Sequence, residues 1–206
     1  MVRRNGHPMV FVGCFCILVA LYQVFVFSQP HFYTLFSTGM FALFWGIHDR
    51  IATEPLFSGW GVRHALFFFA TLSVVCVVID QAGIALGYWT YPHYGADDQL
   101  RKYVFEWAVA LLYHMAALSL GTEILVRTGM DRRHAFPASL LAFVTLVGLF
   151  TEALNMQVQS WVVLSMPVSD YQIGGFYVIF QTLGYWLMAL IPYLLYRVTG
   201  RLFEKP

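Results

Sequence analysis

Long apolar runs alternate with short polar connections along this chain, a pattern that predicts membrane-spanning helices. Six runs are each close to the ~20 residues of helix needed to cross the hydrocarbon core of a bilayer. They cover residues 9–28, 31–48, 64–88, 103–126, 134–156 and 172–197. Because little chain is left between them, the sequence predicts an all-α bundle of about six transmembrane helices, forming a single membrane domain over residues 1–206.

The composition supports this prediction and excludes other classes of protein. Hydrophobic residues make up 59% of the 206 positions and charged residues 11%, whereas soluble domains carry roughly 25% charged residues. The formal net charge is +1 and no basic block is present, which argues against nucleic-acid binding. Cys14, Cys16 and Cys76 all fall inside predicted spans, so they imply neither a disulfide framework nor a zinc site.

The distribution of basic residues predicts the orientation. In a six-span arrangement, one side of the membrane carries most of them: Arg3, Arg4, Arg50, Arg63, Arg127, Arg132, Arg133, Arg197, Arg201 and Lys205. Only Arg101 and Lys102 fall on the other side. The positive-inside rule therefore predicts a multi-pass protein with both termini in the cytoplasm, in the inner membrane if the source is bacterial. The N-terminus faintly resembles a secretory signal, but its long apolar run favours an uncleaved first helix.

Three of the acids within or beside the predicted spans are the candidates for chemistry. Asp80 is in the third span, Glu152 in the fifth, and Glu106 near the start of the fourth. A charge at the centre of a membrane helix costs roughly 2.5 kcal/mol or more, so such an acid must be paired, protonated or turned toward a polar cavity. Each is therefore a candidate catalytic residue.

The surroundings of two of these acids recur at an offset of 72 residues. The offset matches four pairs: Asp80/Glu152, Trp89/Trp161, Asp98/Asp170 and Tyr113/Tyr185. Chance similarity between apolar helices is the competing explanation. An internal repeat of residues 78–116 and 150–188 would place both acids at a similar depth, facing one pocket.

The residues expected to bind a substrate in that pocket are mostly aromatic: Trp89, Tyr91, Trp107, Tyr113, Asn155, Trp161, Gln181 and Tyr185. Aromatic faces can stabilise a carbocation by about 0.5–2 kcal/mol each. The two amides, Asn155 and Gln181, are expected to hold the carboxyls or a water molecule. The pocket is therefore suited to an apolar substrate that becomes positively charged during a reaction.

Several chemistries are disfavoured by the residues that are absent. The seven histidines are scattered and lack the spacing of a di-iron or haem site. Asp97-Asp98 is the single aspartate pair, too little for a magnesium-assisted loss of diphosphate. The sequence therefore predicts neither metal nor cofactor. The remaining possibility is acid–base catalysis, in which a carboxyl shielded from water keeps its proton and donates it to a carbon–carbon double bond. A second carboxyl would stabilise the cation or take a proton back.

The run from Asp80 to Gly87-Tyr88-Trp89-Thr90-Tyr91-Pro92 resembles the membrane-embedded lycopene cyclase domain of carotenoid biosynthesis. The similarity is strongest over 78–116 and weaker over 150–190. The wider group includes carotenoid hydratase-like proteins and small integral-membrane terpene cyclases. The resemblance implies proton-initiated cyclisation or isomerisation of a membrane-dissolved isoprenoid or carotenoid end group, without net redox change. The family's Pro-x-Glu-Glu motif is replaced here by a segment, 101–107, with Glu106 as its single glutamate and no proline.

These observations lead to one main hypothesis and leave alternatives open. Asp80 or Glu152 is the expected general acid, with Glu106 as a partner acid or base. The first alternative adds water to the double bond and is a hydratase. The others are a non-enzymatic lipid- or sterol-binding protein, a small transporter, or a structural subunit of a membrane complex. The substrate, its ring product and the oligomeric state stay open.

Overall fold

The computed structural model describes residues 6–98, 101–165, 171–173 and 176–203, and within these ranges the chain is a helical bundle. The α-helices are α1 (Gly6–Phe27), α2 (Tyr33–Ile51), α3 (Val62–Ala85), α4 (Ala108–Arg127), α5 (Arg132–Ser139), α6 (Thr145–Val158) and α7 (Val178–Phe203). Two π-helical segments extend them. Arg101–Trp107 leads into α4, and Leu140–Val144 joins α5 to α6 in one continuous rod. The predicted all-α fold is confirmed.

Four helical stretches in the described part of the chain are long and apolar enough to cross a membrane: Pro8–Phe27, Val62–Ala85, Ala108–Arg127 and Arg132–Val158. They coincide with the first, third, fourth and fifth predicted runs, and they indicate a membrane protein. The helices α2 and α7 have 19 and 26 residues. Since α2 packs against both α1 and α4, other helices cover much of its surface and it can carry more polar side chains.

The core of the bundle forms around α4. This helix packs against α2, α3, α5 and α7, and most of its side chains are buried. The helices α1 and α2 pack closely, because a Cβ atom added at Gly13 would lie only 2.6 Å from the backbone nitrogen of Leu43. Small residues allow such close approach where helices pack in a membrane.

Two short pairs of strands lie outside the helices. β1 (Trp89–Thr90) pairs antiparallel with β2 (Val162–Val163), and β3 (Gln172–Ile173) pairs antiparallel with β4 (Phe176–Tyr177). The β1–β2 pair ties the loop after α3 to the loop after α6. It therefore brings together the two segments that the offset of 72 makes equivalent.

Some of the residues used in the sequence analysis have no described position. Arg3, Arg4 and Lys205, which contribute to the predicted orientation, and Asp170, which contributes to the predicted repeat, lie outside the described residues. The orientation and the repeat therefore stay predictions. The last predicted span begins at 172, but α7 begins only at Val178, because the strands β3 and β4 occupy the preceding residues.

Candidate functional site

Asp80 is almost completely enclosed in α3, with an exposed fraction of 1%. One carboxylate oxygen, Oδ1, accepts from Trp89 Nε1 at 3.0 Å and from Tyr91 Oη at 2.6 Å. The other, Oδ2, accepts from Tyr103 Oη at 2.8 Å and pairs with Lys102 Nζ at 3.0 Å. A carboxylate offers about four lone-pair positions. Four donors, one of them a cation, therefore stabilise Asp80 in its ionised form.

The indole of Trp89 reaches Asp80 because the chain reverses sharply after α3. Gly87 follows the helix with a φ of +72°, a left-handed conformation that glycine adopts without strain. The ring then lies across Gly83, where an added Cβ atom would come within 2.0 Å of it. Two glycines thus make the Asp80–Trp89 hydrogen bond sterically feasible.

Substituting Gly83 tests this packing. We expect Gly83→Ala to displace the Trp89 ring and to lower the free energy of unfolding by about 1–3 kcal/mol, the usual cost of overpacking. The measurement is the unfolding midpoint of the detergent-purified protein. The matched control is Gly200→Ala, because an added Cβ at Gly200 in α7 meets no atom within 4 Å. Equal midpoints for the two variants would contradict the packing argument.

Lys102 is the residue of this cluster that sequence reasoning missed. Its side chain is buried, with 2% exposed, and its Nζ atom lies 4.2 Å from the centre of the Tyr91 ring and 4.6 Å from that of Tyr103. By sequence it counts as an interfacial charge next to Arg101. The signal that could have found it is the need of Asp80, buried in an apolar helix, for a cation nearby.

Tyr91 lies in the loop after α3 and closes the cluster. Burial, followed by the negative charge of Asp80, raises the pKa of the Tyr91 hydroxyl well above its ordinary value. The phenol therefore keeps its proton and remains a hydrogen-bond donor to Asp80. It follows that this bond holds the Tyr91 ring in a fixed place.

Glu152, in α6, has a different environment although it is also buried. Its Oε1 atom accepts from Trp161 Nε1 at 3.1 Å and from Tyr185 Oη at 2.5 Å. Its Oε2 atom has a long contact of 3.4 Å with Asn155 Nδ2, and the Gln181 amide also interacts with the carboxyl. Within the described ranges no lysine or arginine pairs with Glu152. Its partners are thus neutral.

The two acids share one feature and differ in another. Each accepts a hydrogen bond from the tryptophan nine residues further on, Trp89 or Trp161, at nearly the same distance. The aligned tyrosines do not behave alike. Tyr185 donates to Glu152, whereas Tyr113 bonds to the hydroxyls of Tyr33 and Thr151 and does not contact Asp80. The acid–tryptophan pair is therefore the part that the predicted repeats have in common.

A cavity of about 250 Å³ lies on the Glu152 side of the site. Its aromatic lining residues are Tyr33, Trp89, Tyr91, Trp107, Trp161 and Tyr185. Its polar lining residues are Glu152 and Gln181. The rest are small or aliphatic: Cys76, Ile79, Leu111, Val163, Gly184, Leu187, Met188 and Ile191. The cavity can therefore take an apolar group and hold it against a single carboxyl.

The cavity reaches the outer surface of the bundle between α3 and α7. Ile79 and Leu187 line it, yet they are 40% and 56% exposed. Both lie within long helices, α3 and α7, rather than in the polar connections between helices. An apolar molecule dissolved in the bilayer could therefore enter sideways.

Most of the predicted binding residues line this cavity, but four predicted site residues do not. Asp80 lies behind Trp89 and Tyr91 and reaches the cavity through these two rings. Glu106 is buried elsewhere, where it accepts from Thr34 Oγ1 and, at 2.5 Å, from Tyr94 Oη. The structure thus does not bring Glu106 to the cavity that holds Glu152.

The other two, Asn155 and Tyr113, support lining residues from behind. Asn155 donates to the backbone oxygen of Trp161 at 2.9 Å and accepts from its backbone nitrogen at 3.2 Å. Its amide therefore fixes the tryptophan that contacts Glu152. Tyr113 is fully buried and hydrogen-bonded to Tyr33.

Tyr33 of α2 lines the cavity although sequence reasoning did not select it. Its ring lies 4.9 Å from that of Trp161, edge to face. Thr151 Oγ1 donates to the Val147 carbonyl at 2.9 Å, so it must accept from Tyr113 Oη at 3.0 Å. Tyr113 must then accept from Tyr33 Oη at 3.1 Å. The Tyr33 hydroxyl has its proton committed, and its oxygen remains an acceptor.

In the described part of the chain, no group of three or more histidine, cysteine, aspartate or glutamate residues could hold a metal ion. Comparison with family models, with curated proteins and with solved structures found no match for this chain. The features that indicate a function are therefore the two acid environments and the cavity beside Glu152.

Proposed function

We propose that this chain is a membrane enzyme that protonates a carbon–carbon double bond in an isoprenoid or carotenoid end group and so starts its cyclisation or isomerisation. The observation that carries the proposal is Glu152, a buried carboxyl with neutral partners, at an aromatic cavity open toward lipid. A carboxyl in such a place is better protonated than charged. The resemblance of residues 78–116 to lycopene cyclase domains supports the same reaction class.

The proposed general acid is Glu152 rather than Asp80. Asp80 has four donors around its two oxygens, so it offers no site for a proton of its own. Glu152 uses Oε1 for two short hydrogen bonds, whereas the contact of Oε2 with Asn155 is long, and the Gln181 amide, the remaining partner of the carboxyl, is neutral. We place the transferable proton on Oε2.

The reaction balances without any added reagent. The proton moves from Glu152 Oε2 to one carbon of a double bond, and the neighbouring carbon becomes a cation. A second double bond of the same molecule attacks that cation to close a ring. A carbon of the ring then returns a proton to the Glu152 carboxylate. The product is an isomer of the substrate, and the enzyme is restored.

The aromatic lining of the cavity can stabilise the carbocation intermediate. The rings of Tyr33, Trp107 and Trp161 come from three separate parts of the chain and line the same cavity. A cation over such a face gains about 0.5–2 kcal/mol. Since the cavity is otherwise aliphatic, water is largely excluded and the cation is not trapped before the ring closes.

In this proposal the bundle crosses the membrane six times, with α2 and α7 as the spans of lower hydropathy. Arg50, Arg127, Arg132 and Arg197 lie at the ends of helices on one side of the bundle. This side faces the cytoplasm. The β1–β2 pair and the two acids then lie nearer the opposite surface of the membrane.

A hydratase is the second candidate, and the Tyr33 oxygen favours it. Because its proton is committed to Tyr113, this oxygen can accept from a water molecule at the cavity wall. A bound water requires about two to four polar partners, and the Glu152 carboxyl and the Gln181 amide are available as others. Such a water would attack the cation in place of the second double bond, and the oxonium formed would return a proton to the Glu152 carboxylate, leaving an alcohol.

One experiment separates these functions. The chain is expressed in cells that accumulate lycopene or other polyenes, and the extracted lipids are compared by mass and retention time. An isomerase gives a product of unchanged mass and altered retention, whereas a hydratase gives a product heavier by one water. Unaltered lipids together with substrate flux in proteoliposomes would indicate a transporter and overturn the proposal.

A further inference from the structure

We infer that Lys102 gives the two acids different roles. It keeps Asp80 ionised, so that Asp80 positions the cavity wall as a carboxylate, and it leaves Glu152 as the carboxyl that carries the proton. Lys102 is thus a positioning residue that acts through Asp80. Its effect on turnover rests on the proposed function, whereas the charge states of the two acids can be measured without any substrate.

Lys102 is the charged partner among the four donors around Asp80. The Lys102 ammonium lies 3.0 Å from Oδ2, and both side chains are almost completely buried. Oδ1 simultaneously accepts from Trp89 and Tyr91, whose rings line the cavity. An ionised acceptor forms stronger hydrogen bonds than a neutral one. The charge that Lys102 stabilises therefore holds two wall residues in place.

The two predicted repeats differ in the residues that surround their acids. At the offset of 72, the four donors to Asp80, which are Trp89, Tyr91, Lys102 and Tyr103, correspond to Trp161, Val163, Gly174 and Gly175. The tryptophan is retained, and its bond to the acid is retained with it. The cation and both phenols are replaced by side chains that cannot donate. Three of the four donors to Asp80 therefore have no donor side chain at the aligned positions of the second repeat.

The cavity lies beside one acid and is closed off from the other. Val163, the counterpart of Tyr91, lines the cavity beside Glu152. Asp80 itself is separated from the cavity by Trp89 and Tyr91. The acid with a cation partner is therefore shielded, while the acid with neutral partners faces the substrate space. One repeat supplies a rigid wall and the other supplies the reacting group.

Infrared spectroscopy of the detergent-purified protein at neutral pH tests the inference, because protonated carboxyls absorb apart from carboxylates. We expect the unmodified protein to show a protonated-carboxyl band that disappears in Glu152→Gln and is insensitive to Asp80→Asn. Lys102→Met should gain a second such band, which Lys102→Met/Asp80→Asn should lose. Lys102→Arg should resemble the unmodified protein and keep its turnover.

If Lys102→Met does not fold, carboxyl-labelled aspartate in the unmodified protein gives the same answer. The absence of an isotope-shifted band from a protonated carboxyl supports the inference. A shifted band that is lost in Asp80→Asn overturns it. A folded Lys102→Met protein without a new band also overturns it. Should the bands behave as expected while no polyene is ever converted, the division of charge holds and the proposed function fails.

Discussion

Glu152→Gln is expected to lower turnover of a polyene substrate by about 10²–10⁴-fold, the usual contribution of a general acid, while the protein stays folded. Glutamine keeps the length of the side chain, and its oxygen can accept from Trp161 and Tyr185 as Oε1 does. What it lacks is an acidic proton. The measurements are the initial rate of product formation in membranes and the unfolding midpoint.

Two other substitutions show whether the effect is specific. Glu123→Gln is the matched control, because Glu123 pairs with Arg132 at 2.5 Å and does not line the substrate cavity. It should keep its rate. Asp80→Asn should also lose turnover, but through displaced Trp89 and Tyr91 rings rather than a missing proton. Full activity in Glu152→Gln would refute the mechanism, and full activity in Asp80→Asn would refute the role of Asp80 in positioning these two rings.

Hydrophobic run length predicted the helical elements because helix length and bilayer thickness are linked by simple geometry. The prediction was wrong at the start of the last span. Residues 172–177 continue into an apolar run, but Gln172–Ile173 pairs with Phe176–Tyr177 as short strands. Local hydropathy does not distinguish a strand pair from the first turns of a helix.

Site residues could be predicted from the sequence only where one residue and its neighbours along the chain were enough to indicate a function. An acid in an apolar helix is recognisable alone, which is how Asp80 and Glu152 could be selected. Lys102 and Tyr33 become site residues only through partners far along the chain. Glu106 was expected at the same site because it lies near the start of the fourth span, but position along a helix does not determine which way a side chain faces, and Glu106 bonds to Thr34 and Tyr94 instead.

Filling the cavity should abolish turnover without unfolding the protein. Gly184 of α7 lines the cavity, and a Cβ atom added there meets no atom within 4 Å. We expect Gly184→Phe to occupy the space beside Glu152 and to lower turnover at least ~100-fold, as misplacement of a substrate by about 1 Å can do. Gly184→Ala should reduce turnover less, because a methyl group leaves most of the cavity free.

The stability of these variants distinguishes a blocked site from a damaged fold. A glycine inside a helix costs roughly 0.5–1 kcal/mol relative to alanine, so Gly184→Ala should raise the unfolding midpoint while it lowers the rate. Gly200→Phe is the matched control, since Gly200 lies in the same helix, also has open space around it and does not line the cavity. Undiminished turnover in Gly184→Phe, or an equal loss in Gly200→Phe, would show that the reaction does not take place in this cavity.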